Sequence, residues 1–149
     1  NGGDVFREEA KRRGMSLADF GTLCTTDLEV DRQLDALLQE RMSATGAEEI
    51  VESRLSGWWA YRLNLDCVRL WVDVDDEERA RRVVAREGGT IEEALEANAK
   101  RTSVDAERFT ELYDLLPEQR EPYTIVLDAT HLGREEVLAA VIEHLEATA

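Results

Sequence analysis

The sequence predicts an α/β fold with a parallel sheet, and three observations support this. Apolar β-type segments alternate with helical ones, capping patterns open several helices, and no repeat or linker divides the 149 residues. The clearest strand runs from Cys67 to Val74, and a later one from Tyr123 to Leu127. Because helical segments separate these strands, they are expected to run parallel within a single domain, residues 1–149.

Helices are predicted for most of the first half. Asp4 to Arg13 carries helix-forming residues, and Ser16 is a typical N-cap for a short helix through Leu23. Glu29 to Ser43 has apolar residues at three- and four-residue steps, which is typical of a helix with one buried stripe. A short strand is expected from Glu49 to Glu52.

Two capping patterns organise the second half. Asp75 and Thr90 are each followed three residues later by glutamate, which predicts two helix starts with the Gly88-Gly89 break between them. A further helix is expected to begin at Ser103 and run through Leu115. The last helix is amphipathic and is predicted from Gly133 to Ala147.

Composition excludes several classes of protein. The chain has 18 basic and 33 acidic residues and a net charge of −15, so nucleic acid is not an expected partner. It contains neither an apolar run long enough to span a bilayer nor a signal-peptide pattern, so no membrane partner is expected. Cys24 and Cys67 match no metal-site spacing and are expected to be free thiols, with a disulfide between them as the alternative. We therefore expect a cytoplasmic monomer without a resident metal site.

Arginine is the residue type that indicates the chemistry of this protein. Lys11 and Lys100 are the only lysines, so nearly all cations are guanidinium groups, which bind phosphate oxygens bidentately. An acidic protein that binds phosphates must concentrate such groups locally. Four segments do so, and three of them, all but the second, have a simpler structural explanation: Gly2–Arg7, Glu52–Trp58, Arg79–Arg86 and Arg101–Arg108.

The alternatives differ from segment to segment. Gly2–Arg7 alone is typical of a helix start with a surface arginine, whereas Arg54 directly follows a predicted strand, where parallel sheets bind ligands. Arg82 and Arg86 lie four residues apart on one helix face and repel each other unless an anion lies between them, although most such arginines are simply solvated. Arg101, Asp105 and Arg108 also share one face, where a surface salt-bridge ladder is the alternative.

Taken together, the order and spacing of these segments resemble the cytidylate kinase family across nearly the whole chain. The resemblance rests on five motifs: Gly-Asp-Val-Phe-Arg (3–7), Arg-Gly-Met-Ser-Leu (13–17), Glu-Ser-Arg-Leu-Ser-Gly-Trp (52–58), the Arg-x3-Asp-x2-Arg triplet (101–108) and Val-Leu-Asp-Ala-Thr (126–130).

The resemblance implies a site for the acceptor nucleotide. Arg7, Arg54 and Arg108 would surround the phosphate of a nucleoside monophosphate, while Arg101 and Asp105 would reach its sugar or base. The whole implied substrate-binding set is Asp4, Arg7, Arg54, Arg101, Asp105 and Arg108.

The resemblance also implies a phosphoryl donor. Arg82 and Arg86 would bind ATP, and Arg54, Arg86 and Arg108 would act catalytically by neutralising the transferred phosphoryl group together with Mg²⁺. The implied reaction is phosphoryl transfer from ATP to a pyrimidine nucleoside monophosphate, with CMP or dCMP as the expected acceptor. The alternatives are a phosphate-loop kinase with another small acceptor and a non-catalytic nucleotide-binding relative.

The implied fold is a three-layer α/β/α kinase with strand order 2-3-1-4-5. Met15 to about Thr45 would form a helical insert for the monophosphate, and Gly88 to about Ser103 a lid, because a Gly-Gly break beside cations suits a closing element. The family's Gly-x-x-Gly-x-Gly-Lys-(Ser/Thr) loop and its first two strands have no counterpart in these residues. We therefore expect the sequence to be part of a longer chain that begins roughly thirty residues earlier, the length of a strand–helix–strand unit.

Overall fold

A computed structural model describes residues 1–44 and 50–148. Seven helices and two strands are defined in this part of the chain. They are α1 (Gly2–Arg12), α2 (Leu17–Thr26), α3 (Leu28–Ser43), α4 (Ser56–Arg62), β1 (Leu70–Asp73), α5 (Asp76–Glu87), α6 (Ile91–Tyr113), β2 (Ile125–Asp128) and α7 (Arg134–Thr148). None of the described helices is both long and apolar enough to cross a bilayer.

The two strands form a small parallel sheet. Leu70 lies opposite Ile125 and Asp73 opposite Asp128, so the predicted parallel pairing is confirmed. It is compatible with the last two positions of the order 2-3-1-4-5, while the other positions stay a prediction. β1 is shorter than the predicted segment from Cys67 to Val74.

The strand predicted from Glu49 to Glu52 is wrong for residues 50–52, which have no regular secondary structure; Glu49 lies outside the described residues. A strand requires a partner, and β1 and β2 are the only strands that the structure defines within 1–44 and 50–148. Local β-type composition is therefore not sufficient at this position.

The predicted helix start at Ser103 is also wrong, because α6 is one continuous helix of 23 residues. Its Thr90 cap is complete: the Thr90 side chain accepts from the Glu93 N–H, and the Glu93 side chain accepts from the Thr90 N–H. No glycine or proline follows within the helix to break it. The predicted Gly88-Gly89 break is confirmed, and both glycines adopt positive φ values of 82° and 89°.

The main core lies between α1, α3, α4 and α6. Trp58 and Trp59 of α4 are nearly fully buried and pack with Phe109 of α6. Gly57 lies so close to the Tyr123 ring that an added Cβ would overlap it. This packing fixes the segment just before α4, which carries Arg54, against α6. Both cysteines are free, as predicted.

Candidate functional site

The segment before α4 and the helices α3 and α6 bring together four side chains whose charges alternate in sign. Asp105 of α6 lies between two arginines: the Arg54 guanidinium forms an ion pair with its Oδ2, and Nη2 of Arg108 donates to its Oδ1 at 3.0 Å. Arg108 in turn places Nε 3.1 Å from Oδ2 of Asp31, which belongs to α3. We call Arg54, Asp105, Arg108 and Asp31 the charge row.

The segment that carries Arg54 is held from two sides. The Gly2 N–H at the start of α1 donates to the Glu52 carbonyl oxygen at 2.7 Å. The Ser53 N–H donates to Oγ of Ser56 at 3.3 Å, which links the segment to the first residue of α4. Arg54 is thus placed by backbone contacts of its neighbours, so its side chain remains available for the charge row.

Both aspartates of the charge row are buried, with 8% exposure each. Burial of a carboxylate is unfavourable unless cations pair with it, which Arg54 and Arg108 do here. Burial raises the pKa of Asp31, and the charge of Arg108 opposes this. Asp31 therefore depends on Arg108 for its charged state.

The surroundings of Arg54 are nevertheless positive. Burial, followed by the charges of Arg101, Arg108 and Arg79, lowers the pKa of Arg54 to about 10, so its guanidinium remains charged at neutral pH. This is a local concentration of cations in a chain of net charge −15. Such a concentration favours an anionic ligand.

A cavity of about 1210 Å³ opens beside the charge row. Arg54, Arg101 and Asp105 line its polar side, and Trp71 and Leu145 are among the residues of its apolar side. Binding sites for small molecules commonly enclose about 300–1,000 Å³ and combine apolar walls with a few polar groups. The cavity therefore has room for a nucleotide next to the arginines.

Arg79 is a residue of this site to which the sequence analysis gave no role, although it begins the segment Arg79–Arg86. It lines the cavity, its Nη2 lies 3.2 Å from Oδ1 of Asp76, and its Nε is buried without a hydrogen-bond partner among the described residues. The available signal was spacing, because Arg79, Arg82 and Arg86 follow one helical stripe.

The structure brings together Arg54, Arg101, Asp105 and Arg108, and their roles in substrate binding stay predictions. Asp4 and Arg7 lie elsewhere on α1, where they form an ion pair with each other and are half-exposed. No described hydrogen bond or ion pair joins these two residues to the charge row. Their role in substrate binding stays a prediction.

Arg82 and Arg86 have separate sets of partners. Arg82 donates to the carbonyl oxygens of Ala129 and Leu132 and thereby ties α5 to the segment after β2. Arg86 pairs with the adjacent Glu87 on the exposed side of α5. Within residues 1–44 and 50–148, no ion pair connects either arginine to the charge row, and their predicted contacts with ATP stay predictions.

Several known proteins similar to this chain are cytidylate kinases. Cytidylate kinases of Thermococcus kodakarensis and Pyrococcus abyssi are each 34% identical over 96% of the chain, which covers 73% and 78% of those proteins. That of Methanospirillum hungatei is 33% identical over 94% of the chain and 76% of its own length. The chain belongs to the cytidylate kinase family. The resemblance seen in the motifs is thus confirmed, although no family model and no solved structure matches this kinase.

Membership of the cytidylate kinase family establishes the general type of activity and of fold. The protein is an enzyme of the nucleoside monophosphate kinase type, as predicted, with nucleotides as its class of substrate. Its relatives imply the phosphate-loop kinase fold, with which the helix-rich structure and its parallel strand pair are compatible.

A partly buried carboxylate of α3, that of Asp35, makes a further contact between the same two helices in this kinase. The Tyr113 hydroxyl at the end of α6 donates to Oδ2 of Asp35 on α3 at 2.7 Å. Burial raises the pKa of Asp35 to about 6, and the hydrogen bond from Tyr113 opposes the shift. Asp31 and Asp35 thus place two acidic contacts from α3 against α6.

Asp35 is expected to make stability depend on pH. The folded protein keeps this proton to a higher pH than the unfolded chain does, so the contribution of Asp35 falls as pH rises from about 4 to about 6. Asp35→Asn removes the titration. The free energy of unfolding of the variant, relative to the parent, should therefore increase by about 2–3 kcal/mol between pH 4 and pH 7, at about 1.4 kcal/mol per pH unit.

Urea denaturation at pH 4, 5, 6 and 7 measures this difference. Glu40→Gln is the matched control, because Glu40 is an exposed acid on the same helix. A difference between Asp35→Asn and the parent that stays constant with pH would contradict the prediction.

Proposed function

We propose that this protein transfers a phosphoryl group from ATP to a pyrimidine nucleoside monophosphate, with CMP or dCMP as the acceptor. The observation that carries the proposal is the charge row at the edge of the cavity, where Arg54 and Arg108 lie on either side of Asp105. The choice of acceptor is supported by the name of the relatives, cytidylate kinase.

In this proposal the arginines bind and orient the acceptor. Arg54 and Arg108 would hold its phosphate, and Arg79, which lines the cavity together with Arg54, would be a further cation. Arg101 and Asp105 would contact its sugar or base. Phosphoryl transfer requires no covalent intermediate, so alignment of the two nucleotides and neutralisation of their charge would supply most of the rate enhancement.

The expected Mg²⁺ has no matching ligand set in the part of the chain that the structure describes, where no group of three potential metal-binding side chains occurs. The roles proposed here therefore involve protein side chains only. The donor nucleotide would bind on the side of Arg82 and Arg86, as the family resemblance implies.

Two segments would close around the acceptor. Residues 15–45 would form the acceptor-binding insert, and Asp31 supports this because α3 brings it to the charge row. Residues 88–103 would form the lid, which would consist of the Gly88-Gly89 turn and the first half of α6. We propose a monomeric, cytoplasmic enzyme.

Calorimetric titration of the 149-residue chain with CMP, dCMP, UMP and cytidine tests the proposal. Cytidine lacks the phosphate, so it should bind at least about a hundredfold more weakly than CMP if two charged hydrogen-bonding groups are lost. UMP should bind more weakly than CMP. Equal binding of CMP and cytidine would contradict the phosphate site, and a preference for UMP would contradict the acceptor.

A further inference from the structure

Arg108 is already engaged by two carboxylates in the charge row. Its Nη2 donates to Asp105, and its Nε faces Asp31. Arg54 is likewise engaged by Asp105. A phosphate that binds to the remaining N–H groups of Arg108, as the proposed function requires, would therefore lie close to both carboxylates or displace one of them.

The two carboxylates differ in how firmly they hold Arg108. Asp105 lies three residues before Arg108 on the same helix and accepts a well-formed hydrogen bond at 3.0 Å. Asp31 belongs to another helix, and its Oδ2 lies 3.1 Å from Nε of Arg108 without hydrogen-bond geometry. Both of these atoms are buried and lack a hydrogen-bond partner among the described residues. The contact between Asp31 and Arg108 is thus the weaker of the two.

We propose that Asp31 is a positioning residue that holds Arg108 in the ligand-free site and releases it to the phosphate of the acceptor. The Asp31 carboxylate and a phosphate are both anions that seek the same guanidinium, so they compete for it and repel each other. Loss of the Asp31 charge should therefore strengthen phosphate binding. A residue that only supports the fold would have the opposite effect, because its loss would disorder the site.

The inference rests on the proposed function, and its test is titration of Asp31→Asn with CMP, inorganic phosphate and cytidine. We expect the Kd for CMP and for phosphate to fall by about two- to fivefold, an effect in the range measured for a single ion pair. Cytidine binding should not change. Glu29→Gln is the matched control, because it removes the same charge from an exposed site on the same helix and should leave all three Kd values unchanged.

Two more variants keep the test decisive. Asp31→Glu retains the charge and should not tighten CMP binding, and Asp31→Ser replaces Asp31→Asn if thermal unfolding shows that the latter is misfolded. A parent that binds CMP while the folded, uncharged variants bind it equally or more weakly overturns the inference and leaves the proposed function standing. A parent and variants that bind neither CMP nor phosphate overturn both.

Discussion

Arg54→Ala and Arg108→Ala are each expected to weaken CMP binding by about 1.5–3 kcal/mol, or roughly 10- to 150-fold, the range for a charged hydrogen-bonding group. The reason is their convergence on Asp105 beside the cavity, where burial and neighbouring cations lower the pKa of Arg54. Calorimetric titration with CMP measures the loss. Binding of cytidine should change much less, since it lacks the phosphate.

Arg81→Ala is the matched control for these variants. Arg81 is an exposed arginine of α5 that pairs with Glu78, so its removal changes the net charge equally without touching the cavity. The effect of Arg54→Ala is the easier of the two to interpret, because Arg108→Ala also removes the cation that faces Asp31. If both variants remain folded and bind CMP like the parent, the charge row is a structural ion-pair network.

The elements that were predicted correctly depend on local signals. Ser16 and Thr90 both cap helices as their spacing indicates, because each side chain accepts a backbone N–H three residues later. The two wrong predictions have different causes, an ambiguous local signal at Ser103 and a missing non-local partner at residues 50–52. Serine occurs in helix interiors as well as at caps, and residues 50–52 would need a neighbouring strand that composition cannot reveal.

The residues of the candidate site also differ in whether a local sequence signal could predict them. Arg101, Asp105 and Arg108 could be predicted because their spacing places them on one helix face, and Arg54 because it belongs to a recognisable motif. Asp31 carries no such signal: it is one of 33 acidic residues, and its partner Arg108 lies on another helix. Only the packing of α3 against α6 shows that this particular aspartate lies at the charge row.

One edge of β1 has no neighbouring strand among the described residues. Among the described residues β1 pairs with β2 alone, and the cavity of about 1210 Å³ lies against Trp71 and Val72. In the order 2-3-1-4-5 the first strand would pair with this edge and satisfy its backbone groups, worth roughly 1–3 kcal/mol for each group that is otherwise buried and unpaired. The similar cytidylate kinase of Thermococcus kodakarensis is longer, since the chain covers 73% of it.

We therefore expect ATP-dependent phosphorylation of CMP to be undetectable with the 149-residue chain and to appear when a segment with a strand and a Gly-x-x-Gly-x-Gly-Lys-(Ser/Thr) loop precedes it. The 149 residues contain no such loop, whose backbone N–H groups and lysine would hold the ATP phosphates. A coupled assay for ADP, with CMP and with cytidine as acceptor, measures the activity. Phosphorylation of CMP by the 149-residue chain alone would contradict the prediction.

A variant of the added segment with methionine in place of the loop lysine separates structure from catalysis. It should raise the thermal stability of the chain as much as the intact segment does, because the strand still pairs with β1. It should not restore phosphorylation, because the cation for the ATP phosphates is missing. Full activity of the methionine variant would mean that arginines of this chain suffice for the donor phosphates, with Arg82 and Arg86 as the first candidates to replace.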